Sequence, residues 1–317
     1  MTITQTAMRT RPSWFIRFWA VVRYEMLWNI RKKKFIGIII IAFALASLGL
    51  ALPPILSSTT GTEITSNSNF AITYGASSFG FFLFALATAM NSISSEFESG
   101  TIVPLLTKPV SRTMVFLGKL FAAFVIILVS YVIIFTYTTV SSIFVYGPQN
   151  NLQLVPIVLL GNLISTFIWV SILLAMGALT KNTIITALVA LGLFLALFIA
   201  LPIVSVFAGP STSLNYFPGS GASGTMVIDN ATMSISTGTD NLGIDLVYYV
   251  LYPSANVTFS KIDLQAIQAG QTTLPTTELY TEPTSVIALR ALSVSFAYIL
   301  IFLFIAWLAF KRSQILE

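Results

Sequence analysis

Apolar residues in this chain gather into long uninterrupted runs, and the six longest cover 35–56, 71–94, 115–146, 154–179, 184–208 and 286–310. Each exceeds the roughly 20 residues that cross ~30 Å of hydrocarbon. They predict six transmembrane helices within one all-α membrane domain spanning 1–317. The third run, 32 residues long, exceeds what a bilayer requires, so part of it is expected to tilt or to project into the cytoplasm. Three stretches depart from this pattern: a mixed aromatic and basic segment at 12–34, a polar island at 95–112 and a long polar loop at 209–285.

Composition agrees with the runs. Hydrophobic residues make up 56% of the chain and charged residues 9%, with a mean hydropathy of +0.88, far from a soluble domain. There is no cysteine and no histidine, which excludes disulfide frameworks, thiol nucleophiles, imidazole acid-base chemistry and the usual haem or zinc sites. The net charge of +5 reports topology rather than nucleic-acid binding. Arg9, Arg11, Arg17, Arg23, Arg31 and Lys32 to Lys34 precede the first run; Lys108, Arg112 and Lys119 follow the second; Lys181, Lys311 and Arg312 complete fourteen cations on one side, against Lys261 and Arg290 on the other. Positive residues stay inside, so both termini are expected in the cytoplasm and 209–285 outside a plasma membrane. A cleaved signal peptide at 35–56 is excluded by its length and by the residues before it.

Between Pro12 and Arg31 aromatic residues alternate with arginines. At ~100° per residue Arg17, Arg23 and Arg31 fall within roughly a 120° arc, while most of Trp14, Phe15, Phe18, Trp19, Tyr24 and Trp28 occupy the rest. This predicts an interfacial helix over 12–34, with Trp14, Arg17, Trp19, Arg23, Trp28 and Arg31 at the headgroups of membrane lipid. Ile16 and Leu27 share the basic arc and Glu25 lies opposite it.

The loop 209–285 is rich in Ser, Thr, Gly and Asn, with an apolar patch at Leu246 to Tyr252. It is expected to form a small ordered cap with one or two helices. Asn230-Ala-Thr232 and Asn256-Val-Thr258 fit the glycosylation acceptor pattern on the expected outer face. Gly219-Ser-Gly221-Ala-Ser-Gly224 has the spacing of a dinucleotide fingerprint but lacks the strand and helix around it, and reads as flexible loop. No Walker loop occurs, because Gly118-Lys119 is followed by Leu120. Within the runs almost nothing is ionisable, apart from Lys119 and Arg290 near their ends, so an ion-driven carrier is not expected and the energy for any transport must come from another subunit. No metal site is expected either.

The polar island, SEFESGTIVPLLTKPVSRTMVFLGK from Ser95 to Lys119, suggests a capping box from Ser95 to Glu98, a short helix ended by Pro109 and a new helix capped by Ser111. Its Glu98-Ser-Gly100-Thr101, Leu105-Leu106, Pro109-Val110-Ser111-Arg112 and Gly118-Lys119 resemble the signature between the second and third helices of ABC transporter permeases of the type-2, exporter-like class. The basic interfacial helix, the six spans and the large connection before the last span also match that layout. The resemblance implies a coupling helix that docks on a separate ABC ATPase subunit, with Glu96, Glu98, Gly100, Thr101, Lys108, Pro109, Val110, Ser111 and Arg112 as docking positions. It implies a second permease copy or a paralogue, with ATP and Mg handled by the partner subunit and no cofactor bound to this chain. The alternative is a non-transporting membrane scaffold or sensor whose outer loop reads a ligand.

Overall fold

The computed structural model describes residues 13–31, 33–60, 68–73, 78–100, 110–209, 212–219, 221–228, 231–262 and 276–312. The fold is mostly helical, and among the described residues five helices are long and apolar enough to cross a membrane. The helices of the bundle are α1 (Trp14–Ile30), α2 (Lys33–Thr60), α3 (Phe70–Thr73), α4 (Ser78–Ala89), α5 (Ser94–Glu98), α6 (Arg112–Tyr146), α7 (Val155–Thr180) and α8 (Thr183–Ala208). A cap follows, made of β1 (Ala222–Ile228), β2 (Ala231–Thr237), α9 (Leu242–Leu251), β3 (Asn256–Ile262) and β4 (Thr276–Pro283). Helix α10 (Thr284–Arg312) then returns through the bundle.

Helix α7 is the hub. Pro156 sits in its first turn, where a missing N–H costs nothing, and its buried side chains face α4, α8 and α10. Phe82 of α4 stacks on Phe194 of α8 at 4.4 Å, and Trp169 of α7 meets both rings edge-on at 5.5 and 5.3 Å. Tyr131 of α6 pairs with Thr166 of α7 at 2.7 Å, so its hydroxyl is satisfied inside the apolar core. On the other side of α6, Tyr137 meets the Ser47 hydroxyl of α2 at 2.7 Å and Tyr146 donates to the Leu50 carbonyl at 2.9 Å.

Two expectations change. Among the described residues the run 71–94 is interrupted near its end: α4 stops at Ala89 and a turn over Met90–Ser92 separates it from α5. Its end is chemical. The Ser94 hydroxyl donates to the Met90 carbonyl at 2.6 Å and that of Ser95 to the Asn91 carbonyl, side-chain bonds that compete with continuation of the helical ladder.

The cap is not purely helical. It carries a four-stranded antiparallel sheet in the order β2-β1-β3-β4, with Ile228↔Ala231 at the close end of the first pair and Thr225↔Thr258 joining β1 to β3. Ala222, Met226, Ile235, Val257 and Phe259 form one buried side, packed against Tyr248 of α9 and Ile287 of α10. Ser223, Thr225, Ser234 and Ser236 face out. The GxGxxG stretch ends inside β1, with Gly224 against Val257 and Phe259.

Candidate docking surface and the buried charges behind it

The end of the bundle away from the cap gathers α5, the start of α6, the α7–α8 turn and the end of α10. Lys181, at a left-handed φ of 54°, turns α7 into α8. Asn182 then caps α8, its Oδ1 accepting from Ile184 and Ile185 at 2.9 and 3.0 Å. Phe310 of α10 lies 6.0 Å from Phe97 of α5 and 6.2 Å from Phe116 of α6. These rings hold the short polar helix against the bundle.

Most described docking positions come together here. Val110 is half-buried against the core. Ser111 caps α6 as expected, its hydroxyl accepting from Met114 at 3.1 Å. Arg112 donates from Nη1 to the Lys311 carbonyl at 3.0 Å, placing a cation at the negative end of α10. Gly100 follows α5 at a φ of 68°. Thr101, Lys108 and Pro109 lie outside the described residues.

The expected capping box is absent. Helix α5 starts at Ser94, so Ser95 is inside it and its hydroxyl donates backward. Glu98 Oε2 instead accepts from the Thr183 N–H at 3.1 Å, at the positive end of α8. A longer-range partner outcompeted the local one.

Glu96 points inward. Lys119 Nζ lies 2.6 Å from Glu96 Oε1 and 2.6 Å from Glu25 Oε1, and the lysine side chain is only 3% exposed. The three groups join α1, α5 and α6. Close approach makes the join possible, since a Cβ on Gly118 would fall 2.7 Å from Val21 Cγ1. Val22, Glu25 and Asn29 are the buried face of α1. Trp14, Trp19, Arg23, Trp28 and Arg31 are exposed and Arg17 is half-buried, so the arginine arc and the embedded face are separate, as the helical spacing predicts. The sequence signal for the cluster was one acid on an aromatic and basic helix and one lysine in an apolar run, each without a visible partner.

At the cap end, Arg290 is held by Glu282 through two hydrogen bonds of 2.8 and 2.7 Å. Asn256 is exposed at the start of β3, paired with Pro283; Asn230 lies outside the described residues. Among the described residues no group of His, Cys, Asp and Glu is placed to hold a metal ion.

The architecture defines a class, a multi-pass helical membrane protein with a polar intracore junction at one end and a folded cap at the other. Residues 19–315 match the family described as ABC-2 family transporter protein, and the chain belongs to that family. It is therefore a transmembrane permease of the ABC transporter type. No curated protein matches the sequence.

Proposed function

We propose that this chain is the membrane-spanning subunit of an ATP-driven exporter, lining the substrate pathway with a second copy or a paralogue, while a separate ABC ATPase binds below. The end carrying α5, Arg112 and the α10 terminus faces the cytoplasm, together with both chain termini. The cap lies outside the plasma membrane. ATP and Mg belong to the partner, and this chain performs no chemistry of its own.

The Lys119–Glu25–Glu96 junction carries this reading. A docking helix transmits force only if it is fixed to what must move, and a buried lysine bridging two carboxylates is costly to break. The junction ties α5 both to the interfacial helix and to α6, whose 35 residues are about 52 Å long. Closure of an ATPase pair against α5, Val110, Ser111 and Arg112 would then be passed along α6 as a rigid-body tilt. Membrane lipid is the other partner: Trp14 and Phe18 with Phe121, Phe124 and Phe167 line an apolar cavity of about 320 Å³ between α1, α6 and α7.

The test is affinity purification of the tagged chain from its native membrane, comparing wild type with Glu98→Ala/Arg112→Ala. Recovery of an ATPase subunit whose binding or coupled activity falls in the double variant supports the reading. A stable preparation without any ATPase overturns it in favour of a scaffold or sensor.

A further inference from the structure

Two carboxylic acids of the cap are buried without a salt bridge to any lysine or arginine among the described residues. Asp240 is 9% exposed and Asp245 3%. They flank the first turn of α9, at the seam where the cap meets α7. That seam is tight: a Cβ on Gly161 would fall 2.2 Å from Gly243 Cα, and one on Gly243 would fall 2.6 Å from the Val158 carbonyl oxygen. The Ser165 hydroxyl of α7 donates to the Thr239 carbonyl at 2.6 Å, and the Thr239 hydroxyl donates to the Phe217 carbonyl at 3.0 Å.

The surroundings of the two acids are nearly free of charge. Among the described residues, α3, α7 and β2 bring no ionisable side chain. Helix α9 and its end bring Tyr248, Tyr249 and Tyr252, and the 212–217 segment brings Tyr216. Helix α10 brings Arg290, already committed to Glu282 of β4 by two hydrogen bonds. Asp245 Oδ2 accepts one bond, from the Gly238 N–H at 3.0 Å. Asp240 Oδ2 has no hydrogen-bond partner among the described residues. A buried carboxylate without a paired cation is strongly disfavoured, so such a group binds a proton instead.

We propose that the cap is a pH-gated closure: it packs on α7 with Asp240 and Asp245 neutral, and loss of their protons frees the seam. Burial pushes both carboxyls up to about 8, the Gly238 N–H and Arg290 opposing it only in part at Asp245. An acidic face therefore keeps the cap seated, and alkalinisation on the same side releases it. Release moves α9 away from α7, the hub on which α4, α8 and α10 pack. Which compartment supplies the pH rests on the orientation given under Proposed function; the switch itself does not.

The experiment uses the full chain in lipid nanodiscs, where both faces meet the buffer and orientation plays no part. Amide exchange over 238–251, corrected for its intrinsic pH dependence, is followed from pH 4 to 9. Protection is expected to fall at least tenfold between pH 5 and pH 8, approaching tenfold per pH unit for each acid whose proton is released on opening. Asp240→Asn/Asp245→Asn, which stays neutral, is expected to lose that slope. A flat wild-type profile, or the same slope in the double variant, overturns the proposal.

If the variant does not fold, infrared spectroscopy on wild type labelled with ¹³C-aspartate decides, because the chain has four aspartates, two of them in this seam. A protonated carboxyl band persisting to pH 7 supports the switch, and its absence at pH 6 overturns it. In sealed vesicles, opening driven only from the lumen of inside-out preparations supports the proposed orientation. Opening driven only from their bulk side would reverse the orientation and leave the switch intact.

Discussion

The two ends of the bundle face the same physical problem and resolve it in opposite ways. At the α5 end, Lys119 is buried between Glu25 and Glu96, and charge is kept by pairing it. At the cap end, Asp240 and Asp245 are buried without a salt bridge among the described residues, and charge is removed by protonation. A paired charge makes a joint whose strength needs both partners; a neutralised acid makes one that depends on the proton supply. The first suits a permanent lever and the second a latch.

The largest expected effect comes from pH on the latch. Both carboxyls have an ordinary value near 3.8 when unfolded and about 8 in the folded cap, so the folded state holds its protons more tightly. The resulting stability is fully present below about pH 4 and is lost progressively as pH rises to about 8. At about 1.4 kcal/mol per pH unit for each acid, the cap loses up to about 5 kcal/mol between pH 5 and pH 7. Calorimetry of the chain in nanodiscs at those two values should place the cap transition lower at pH 7. A transition that rises with pH would dissolve the contrast between the two ends.

Next comes the lever. Lys119→Met leaves two carboxylates facing each other in a dry site, an expected loss of about 3–5 kcal/mol. Glu96→Gln leaves a balanced Lys119–Glu25 pair and should cost only about 1.5 kcal/mol. Thermal denaturation ranks the two. If they cost the same, the lysine is not the keystone of the junction.

The seam of the cap can be attacked without touching charge. Gly161→Ala pushes a methyl into the backbone of α9, and overpacking of this kind costs about 1–3 kcal/mol. Proteolysis of the cap should speed up in Gly161→Ala at pH 5, while the α5 end, probed by binding of the proposed ATPase subunit, stays as in wild type.

How much of this was legible from sequence follows from the range of the forces involved. Long apolar runs located α2, α6, α7, α8 and α10 to within a few residues, because crossing hydrocarbon imposes a length that local sequence must satisfy. The Ser111 cap was legible because its bond is local. The break after α4 is not legible because Asn91, Ser92, Ser94 and Ser95 look like an ordinary polar boundary until the Ser94 and Ser95 hydroxyls are seen on backbone carbonyls.

The sheet was missed although β1, β2 and β3 alternate: Met226, Met233, Ile235, Val257 and Phe259 sit one residue away from Ser or Thr. That period of two is masked by the high Ser, Thr, Gly and Asn content of the loop. Nothing local joins Lys119 to Glu25, 94 positions away. Their partnership exists only once α1 folds onto α6.

The smallest expected effect sharpens the comparison most finely, because it concerns a residue that belongs to both the lever and its outer surface. Glu98 is exposed, yet its Oε2 accepts from Thr183 at the start of α8. A purely structural Glu98 would act as a supplementary cap, and Glu98→Gln, which keeps an acceptor oxygen, should change stability by no more than about 0.5 kcal/mol. A Glu98 that also meets a cation of the ATPase would show its loss elsewhere: binding of the partner should weaken several-fold and become less salt-dependent, with the melting temperature unchanged. Titrating ATPase binding at low and high salt separates the roles. An unchanged affinity at both would confine Glu98 to holding α5 against α8 and shift the docking contact onto Arg112 and the residues before it.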